Sequence, residues 1–282
     1  MNKIKVIVDS CSSFTNEDKN KYDIDILPLY LIMDKKEYDP LNMNISIDEY
    51  YNDIENHDVG SSCCNAFTFL ELFNSYLDKN IDVIFISLSS GLTSSYGNAI
   101  NAVEQLSDDK KHRVAVIDSL TGGAGIHFAT FEALRLIKEG KSVLEIKEGI
   151  DKNKLNVVSL FTIGSLNHLY KGGRLSKAGV VIGNIIKMKP IVTTNELGQL
   201  KVFEIHLGKR KAIKAMAELA NKDANKNYPL RISYTNNEDE AMFLKDKLLE
   251  LDNNINIELS RIDYTLGAHC GPLTIAIFYI KK

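Results

Sequence analysis

Several features that would each point to a class of function are missing from this sequence. No charge of one sign dominates: 34 Lys and Arg stand against 37 Asp and Glu, a net charge of -3 at pH 7, whereas a nucleic-acid binder is usually basic. No apolar run approaches the roughly 20 residues that cross a bilayer. The apolar stretch in MNKIKVIVDS is too short for a signal peptide, so a cytoplasmic location is expected. Cysteines number only 4, at Cys11, Cys63, Cys64 and Cys270, and none makes a C-x-x-C pair, which argues against a disulfide framework. Convergence of Cys63, Cys64 and Cys270 with His269 on a soft metal is the weaker reading, because no ligand spacing supports it; neither metal nor cofactor is expected. There is no G-x-S-x-G elbow and no G-x-x-x-x-G-K-[ST] phosphate loop. Internal repeats, low-complexity tracts and long linkers are also absent.

What remains is an ordinary globular composition, 44% hydrophobic and 25% charged over 282 residues, long enough for two domains or one large α/β domain. The most informative stretch is Asp82 to Ala99. Val83 to Ile86 is a β-branched apolar run that reads as a buried strand. It gives way to Ser87, Ser89, Ser90, Gly91, Thr93, Ser94 and Ser95, hydroxyl residues suited to capping a helix. A helix N-terminus offers free N–H donors, so strand, hydroxyl turn and helix together suit a small anion; a well-capped surface turn is the plain alternative. Ile4 to Val8 and Val114 to Ile117 read as two more buried strands, ending in Asp9-Ser10 and Asp118-Ser119. Apolar strands alternating with helices predict a parallel sheet covered on both faces, whose ligand crevice lies at the strands' carboxyl ends. Ile24 to Met33 reads as extended, with Pro28 pointing to an edge or irregular strand. Ser46 and Glu49 form a capping-box pattern. Gly60 to Asn65 reads as a loop, and a helix follows through Phe67, Leu70, Phe73 and Leu77.

Near residue 150 the pattern changes. Val157 to Phe161, Pro190 to Thr194, Leu200 to Ile205, Leu230 to Tyr234, Ile255 to Leu259 and Leu273 to Ile280 read as strands. Asn195-Glu196-Leu197-Gly198 marks a hairpin. The prediction is an α/β chain of two domains: a parallel α/β sheet domain over 1–150, and an α+β domain with a largely antiparallel sheet over 151–282. The loop near 60–66 is a candidate to pack with the second domain, and a ligand would sit between the two.

Four segments carry a resemblance: Ser61-Ser62; Ser89-Ser90-Gly91-Leu92-Thr93-Ser94-Ser95-Tyr96; Leu169-Tyr170-Lys171-Gly172-Gly173-Arg174-Leu175-Ser176 with Lys189-Pro190-Ile191; and Gly267-Ala268-His269-Cys270-Gly271-Pro272. With Asp9-Ser10 and Asp118-Ser119, in this order, they resemble the DegV family of fatty-acid-binding proteins along essentially the whole chain. The resemblance implies a long-chain fatty acid held between two domains by a non-catalytic subunit. A separate ATP-dependent kinase would phosphorylate the acid's carboxylate, and the acyl phosphate would feed phospholipid synthesis. Transient contact with a membrane surface is expected, and no nucleic acid. By the same resemblance the carboxylate would lie among Ser61, Ser62, Ser89, Ser90, Gly91 and His269. The sequence departs from the family pattern at Cys63-Cys64, where Gln-Pro is usual, at Ser61, where Thr is common, and at Leu273, where the last motif usually has glycine. Ser keeps the donor and acceptor of Thr.

Lys171, Arg174, Lys187, Lys189, Lys209, Arg210 and Lys211 cluster in the second half. A solvated face is the plain reading; a basic rim meeting the kinase or the phosphate is the functional one, with Arg174 and Arg210 its leading members. Phe161, Ile163, Leu166, Ile182, Ile185 and Ile186 are candidate tunnel wall, each more readily core than lining. The rival function is a serine acyl hydrolase using Ser61, Ser62 or Ser90 with His269 and an Asp such as Asp118.

Overall fold

The computed structural model describes residues 2–175 and 188–282. The predicted positions Ser176, Ile182, Ile185, Ile186 and Lys187 lie outside the described residues.

Strand β1 (Lys3–Asp9) leads through α1 (Asn16–Tyr22) to β2 (Ile24–Leu27), then to a small antiparallel sheet of β3 (Tyr30–Met33), β4 (Lys36–Tyr38) and, after α2 (Ile47–Asp53), β5 (Val59–Ser62). Ser46 caps α2 with the reciprocal Glu49 bond that its sequence predicts. Residues 60–62 are a correction: the sequence reads them as loop, but with Val59 they pair with Tyr30–Met33 as an edge strand. Their small side chains hid a strand that backbone pairing alone defines. Helix α3 (Ala66–Leu77) then returns the chain to β6 (Ile81–Ser87), followed by α4 (Ser95–Glu104), α5 (Asp108–Lys111), β7 (Val114–Asp118), α6 (Ile126–Lys138) and α7 (Val143–Asn153).

Strands β2-β1-β6-β7 form the predicted parallel sheet. Successive side chains on a strand alternate between faces. Val6, Val8, Ile84 and Ile86 therefore pack under α6 and α7, while Ile7, Val83 and Phe85 pack under α3 and α4. Both faces are buried, which is why these strands read as unbroken apolar runs.

The second half holds β8 (Val157–Thr162), α8 (Asn167–Lys171), β9 (Met188–Thr194), β10 (Leu200–Leu207), α9 (Lys209–Asp223), β11 (Leu230–Tyr234), α10 (Glu238–Leu251), β12 (Ile257–Arg261), α11 (Tyr264–Cys270) and β13 (Ile275–Ile280). Its sheet runs β10-β9-β8-β13-β11-β12. It is antiparallel except for β11 and β12, which α10 joins as the crossover a parallel pair requires. One face, through Leu160, Ile232, Ile275 and Ile277, packs on α9 and α10. The opposite face, through Phe161, Ala276 and Phe278, turns toward Ala124 and Phe128 of the first half. The sheet thus buries both faces, one on its own helices and one against the parallel-sheet half.

In the parallel sheet the strand order reverses between β1 and β6, where a ligand crevice is expected. Asp9 spans that point. It is 1% exposed and accepts from Leu88 N–H (2.7 Å), Ser87 Oγ (3.1 Å) and Ser95 Oγ (3.0 Å). Burial pushes its carboxyl up to about 7 from 3.8, although those three donors pull the other way. The folded chain therefore holds this proton more tightly than the unfolded chain. Its contribution to stability is full below about pH 4 and is lost as pH rises toward neutrality. Asp9→Asn is expected to remove the part of the stability–pH slope lying between about pH 4 and 7. Urea melts at several pH values test this, and an unchanged slope contradicts it.

Candidate functional site

The site forms where the inner face of the antiparallel sheet meets the carboxyl ends of the parallel one. A narrow slot runs between them. It encloses about 850 Å³ free of atoms, open mouth included. Its walls are mostly apolar: Leu29, Leu88 and Leu92 from the first half, and Phe161, Leu169, Leu200, Ile262, Leu266 and Phe278 from the second. Walls of this kind suit a hydrocarbon chain.

Ser61 of β5 and His269 of α11 also line the slot, and Ser61 Oγ lies 2.8 Å from His269 Nε2. His269 sits in the last turn of α11. The imidazole Nδ1 is enclosed and, among the described residues, has no hydrogen-bond partner. It lies against Gly172, where a Cβ would come within 2.5 Å of it. A donor N–H left unpaired is costlier than an idle lone pair. The favoured arrangement therefore puts the proton on Nε2, donating to Ser61 Oγ, and frees the Ser61 O–H to donate into the slot. Burial, then the Arg174 guanidinium and His168, holds the imidazole down at about 4, neutral at pH 7.

Arg174 also lines the slot. Its guanidinium donates to the carbonyls of Leu92 (3.1 Å) and Gly172, tying the hydroxyl turn to the segment after α8. The other predicted site residues lie elsewhere. Ser62, one position along β5, points away from Ser61 as strand alternation requires and donates to Glu37 (2.6 Å). Ser89 is fully buried and donates to Gly198 O (2.8 Å). A Cβ on Gly91 would meet the Gly198 backbone at 2.7 Å, so Ser89 and Gly91 dock the turn on the β9–β10 hairpin. Ser90 is exposed, and its N–H donates to Asp118 Oδ1 (3.1 Å). From this turn it is Leu92 and Thr93 that line the slot. Arg210, on the outer side of α9, stacks over Phe243 at 5.2 Å from the ring centroid.

Part of the basic cluster is internal. Lys209 Nζ bonds Glu240 and the Leu273 carbonyl, and Lys189 Nζ bonds Gly164 O (2.7 Å). Of the candidate wall residues, Phe161 lines the slot, while Ile163 and Leu166 pack in a cluster with Leu175 and Val192. Cys11 and Cys270 line the slot, with burial raising both thiols, Cys270 to about 12. Such thiols stay protonated and behave as small apolar groups. Among the described residues no group of His, Cys, Asp and Glu is arranged to hold a metal, and no helix is long and apolar enough to cross a membrane.

Leu273 adopts φ 58°, the left-handed region that favours glycine. Its side chain is 47% exposed, so it recovers little by packing. The left-handed penalty is roughly 1–2 kcal/mol for an L-residue, offset in part by the greater freedom of glycine in the unfolded chain. Leu273→Gly is expected to raise Tm by about 2 °C. A calorimetric scan checks this, and a fall in Tm contradicts it.

The DegV family model, described as one of uncharacterised proteins, matches residues 3–282. A DegV domain-containing protein of Clostridium acetobutylicum is 31% identical over 284 residues, covering 100% of both chains. The crystal structure of DegV, a fatty acid binding protein from Bacillus subtilis, superposes with a TM-score of 0.84 at 27% identity over 100% of both chains. A stearic acid-binding protein from Eubacterium ventriosum shares the fold, with a TM-score of 0.86 at 21% identity over 99% of this chain and 98% of its own. With a match over nearly its full length and relatives of equal extent, this chain belongs to the DegV family.

Proposed function

We propose that the chain binds a long-chain fatty acid in the slot, with the carboxylate at Ser61 and His269, and presents it to a separate ATP-dependent kinase. The observation that carries this reading is the Ser61–His269 pair set in the wall of a narrow apolar slot lined from both halves. The Bacillus subtilis relative, described as a fatty acid binding protein, supports it. About 14 buried CH₂ groups at about 0.8 kcal/mol each give a gross transfer term near 11 kcal/mol, against about 1.5–3 kcal/mol for each hydrogen bond to a charged group. The chain supplies most of the affinity; Ser61 and His269 supply orientation. Phosphorylation would have a carboxylate oxygen attack the γ-phosphorus of ATP as the bond to ADP breaks. Arg174, near His269, would face the incoming phosphoryl group, and exposed Arg210 would meet the kinase.

The hydrolase reading lacks its third member. A Ser–His pair activates a nucleophile when a carboxylate orients the imidazole. Here Nδ1 has no partner among the described residues, and Asp118 Oδ1 is taken by the N–H groups of Ser90 and Leu120.

A bound carboxylate beside His269 raises the imidazole from its low value near 4, so binding takes up a proton below the new value. Affinity for palmitate is expected to rise as pH falls from 8 to 6, and His269→Gln, which does not titrate, to flatten that rise. Calorimetry at each pH checks this; equal slopes in both proteins contradict it. Denaturing mass spectrometry of the purified protein is expected to release a long-chain fatty acid, and a delipidated protein that takes up none overturns the reading. Arg210→Glu is expected to lower kinase-dependent acyl phosphate formation at least tenfold, equivalent to ~1.4 kcal/mol, with palmitate affinity unchanged; loss of both would argue against a docking role.

A further inference from the structure

Helix α11 belongs by chain order to the second half, yet the first half holds it. Thr265 Oγ1 donates to Leu29 O (2.6 Å), Tyr50 Oη to Tyr264 O (2.9 Å), and Tyr264 Oη to Ile45 O (2.7 Å). The tightest contact is with Tyr51 of α2, a side chain 2% exposed. Its single hydroxyl proton is shared between the carbonyls of Ile262 and Asp263, each at 3.0 Å. The hydroxyl end of its ring lies against Gly267: a Cβ there would fall 2.2 Å from Tyr51 Oη and 2.7 Å from the ring. Only glycine lets the helix approach this closely.

Gly267 and His269 are two residues apart, about 200° around the helix. Tyr51 therefore bears on one side of α11 while His269 reaches Ser61 from the other. Burial holds the Tyr51 phenol well above its ordinary range, so it stays a donor at every working pH.

We propose that Tyr51 is the positioning residue for His269: bearing on Gly267 and bridging the Ile262 and Asp263 carbonyls, it sets how far the imidazole projects toward Ser61 and a bound carboxylate. The inference rests on the fatty-acid reading above and adds to it a residue that touches neither ligand nor imidazole.

The test compares two ligands of equal chain length, palmitate and hexadecanol, on delipidated full-length protein. Tyr51→Phe keeps the ring and removes the hydroxyl. Misplacing one hydrogen bond to a carboxylate is expected to weaken palmitate binding about tenfold while hexadecanol binding changes by less than about twofold. In a His269→Ala background the same change is expected to alter palmitate affinity by less than about twofold, because the group it positions is gone. NMR of the ligand-free protein is expected to show the His269 imidazole titrating at higher pH in Tyr51→Phe than in the parent, as the ring loosens toward water. Should Tyr51→Phe not fold, Gly267→Ala, which pushes the helix off the ring, is read the same way. Equal losses for palmitate and hexadecanol, additive effects in the double variant, or an unmoved His269 titration overturn the inference while the parent still prefers palmitate. A parent protein that does not prefer palmitate to hexadecanol overturns the carboxylate reading and this inference with it.

Discussion

The hydrogen bond between Ser61 and His269 joins residues 208 positions apart in the chain, and the polar part of the slot's wall depends on it. Neither group reaches the other through its own half of the molecule. Ser61 arrives on a short strand at the edge of a three-stranded sheet. His269 arrives on a helix between the last two strands of the larger antiparallel sheet. Their meeting is a product of how the halves pack, so any change that slides one half on the other is felt at this pair.

The slot follows from the same packing. The antiparallel sheet gives alternate side chains to two jobs. Residues such as Ile275 and Ile277 fill the core under α9 and α10, and Phe278 and Ala276 face the first half. Opposite them lie the carboxyl ends of parallel strands, where small residues, Gly122 and Gly123 among them, leave the backbone close to the slot. Interiors pack densely, so a long narrow gap with apolar walls persists only where two preformed surfaces meet without interdigitating. Arg174, in its wall, is committed beforehand to backbone carbonyls. Ser61, taking its hydrogen bond from His269, keeps its O–H free to donate into the slot.

Much of this was legible from the residues. Buried parallel strands announce themselves as continuous apolar runs, and Ile4–Val8, Val83–Ile86 and Val114–Ile117 are strands of one sheet. The capping box at Ser46 and the hairpin at Asn195–Gly198 were equally plain, because local chemistry determines them. The strand at Val59–Ser62 was not, since its side chains are small and only its partner strand defines it. Ser61 and Ser62 could not be separated until a strand set them on opposite faces. Ser89 and Gly91 looked like anion ligands because hydroxyls and glycine serve anions and interdomain contacts alike; here they touch the β9–β10 hairpin. Tyr51 carried no signal, for an aromatic residue on an amphipathic helix reads as core, and only the glycine 216 positions later gives its hydroxyl and ring a purpose. Leu273 shows the converse: the sequence exposed a departure from the family pattern, and the left-handed backbone there explains the usual glycine, not the leucine.

The central claim is that one carboxylate is held, out of bulk water, against Ser61 and His269. Carbon-13 NMR of the protein loaded with palmitate labelled at its carboxyl carbon tests it most directly. The account predicts one narrow carboxyl resonance, displaced from that of free palmitate, whose titration is shifted from the free acid's and reverts toward it when His269 is replaced. A carboxyl signal that titrates as it does in water, or one indifferent to His269, would contradict it.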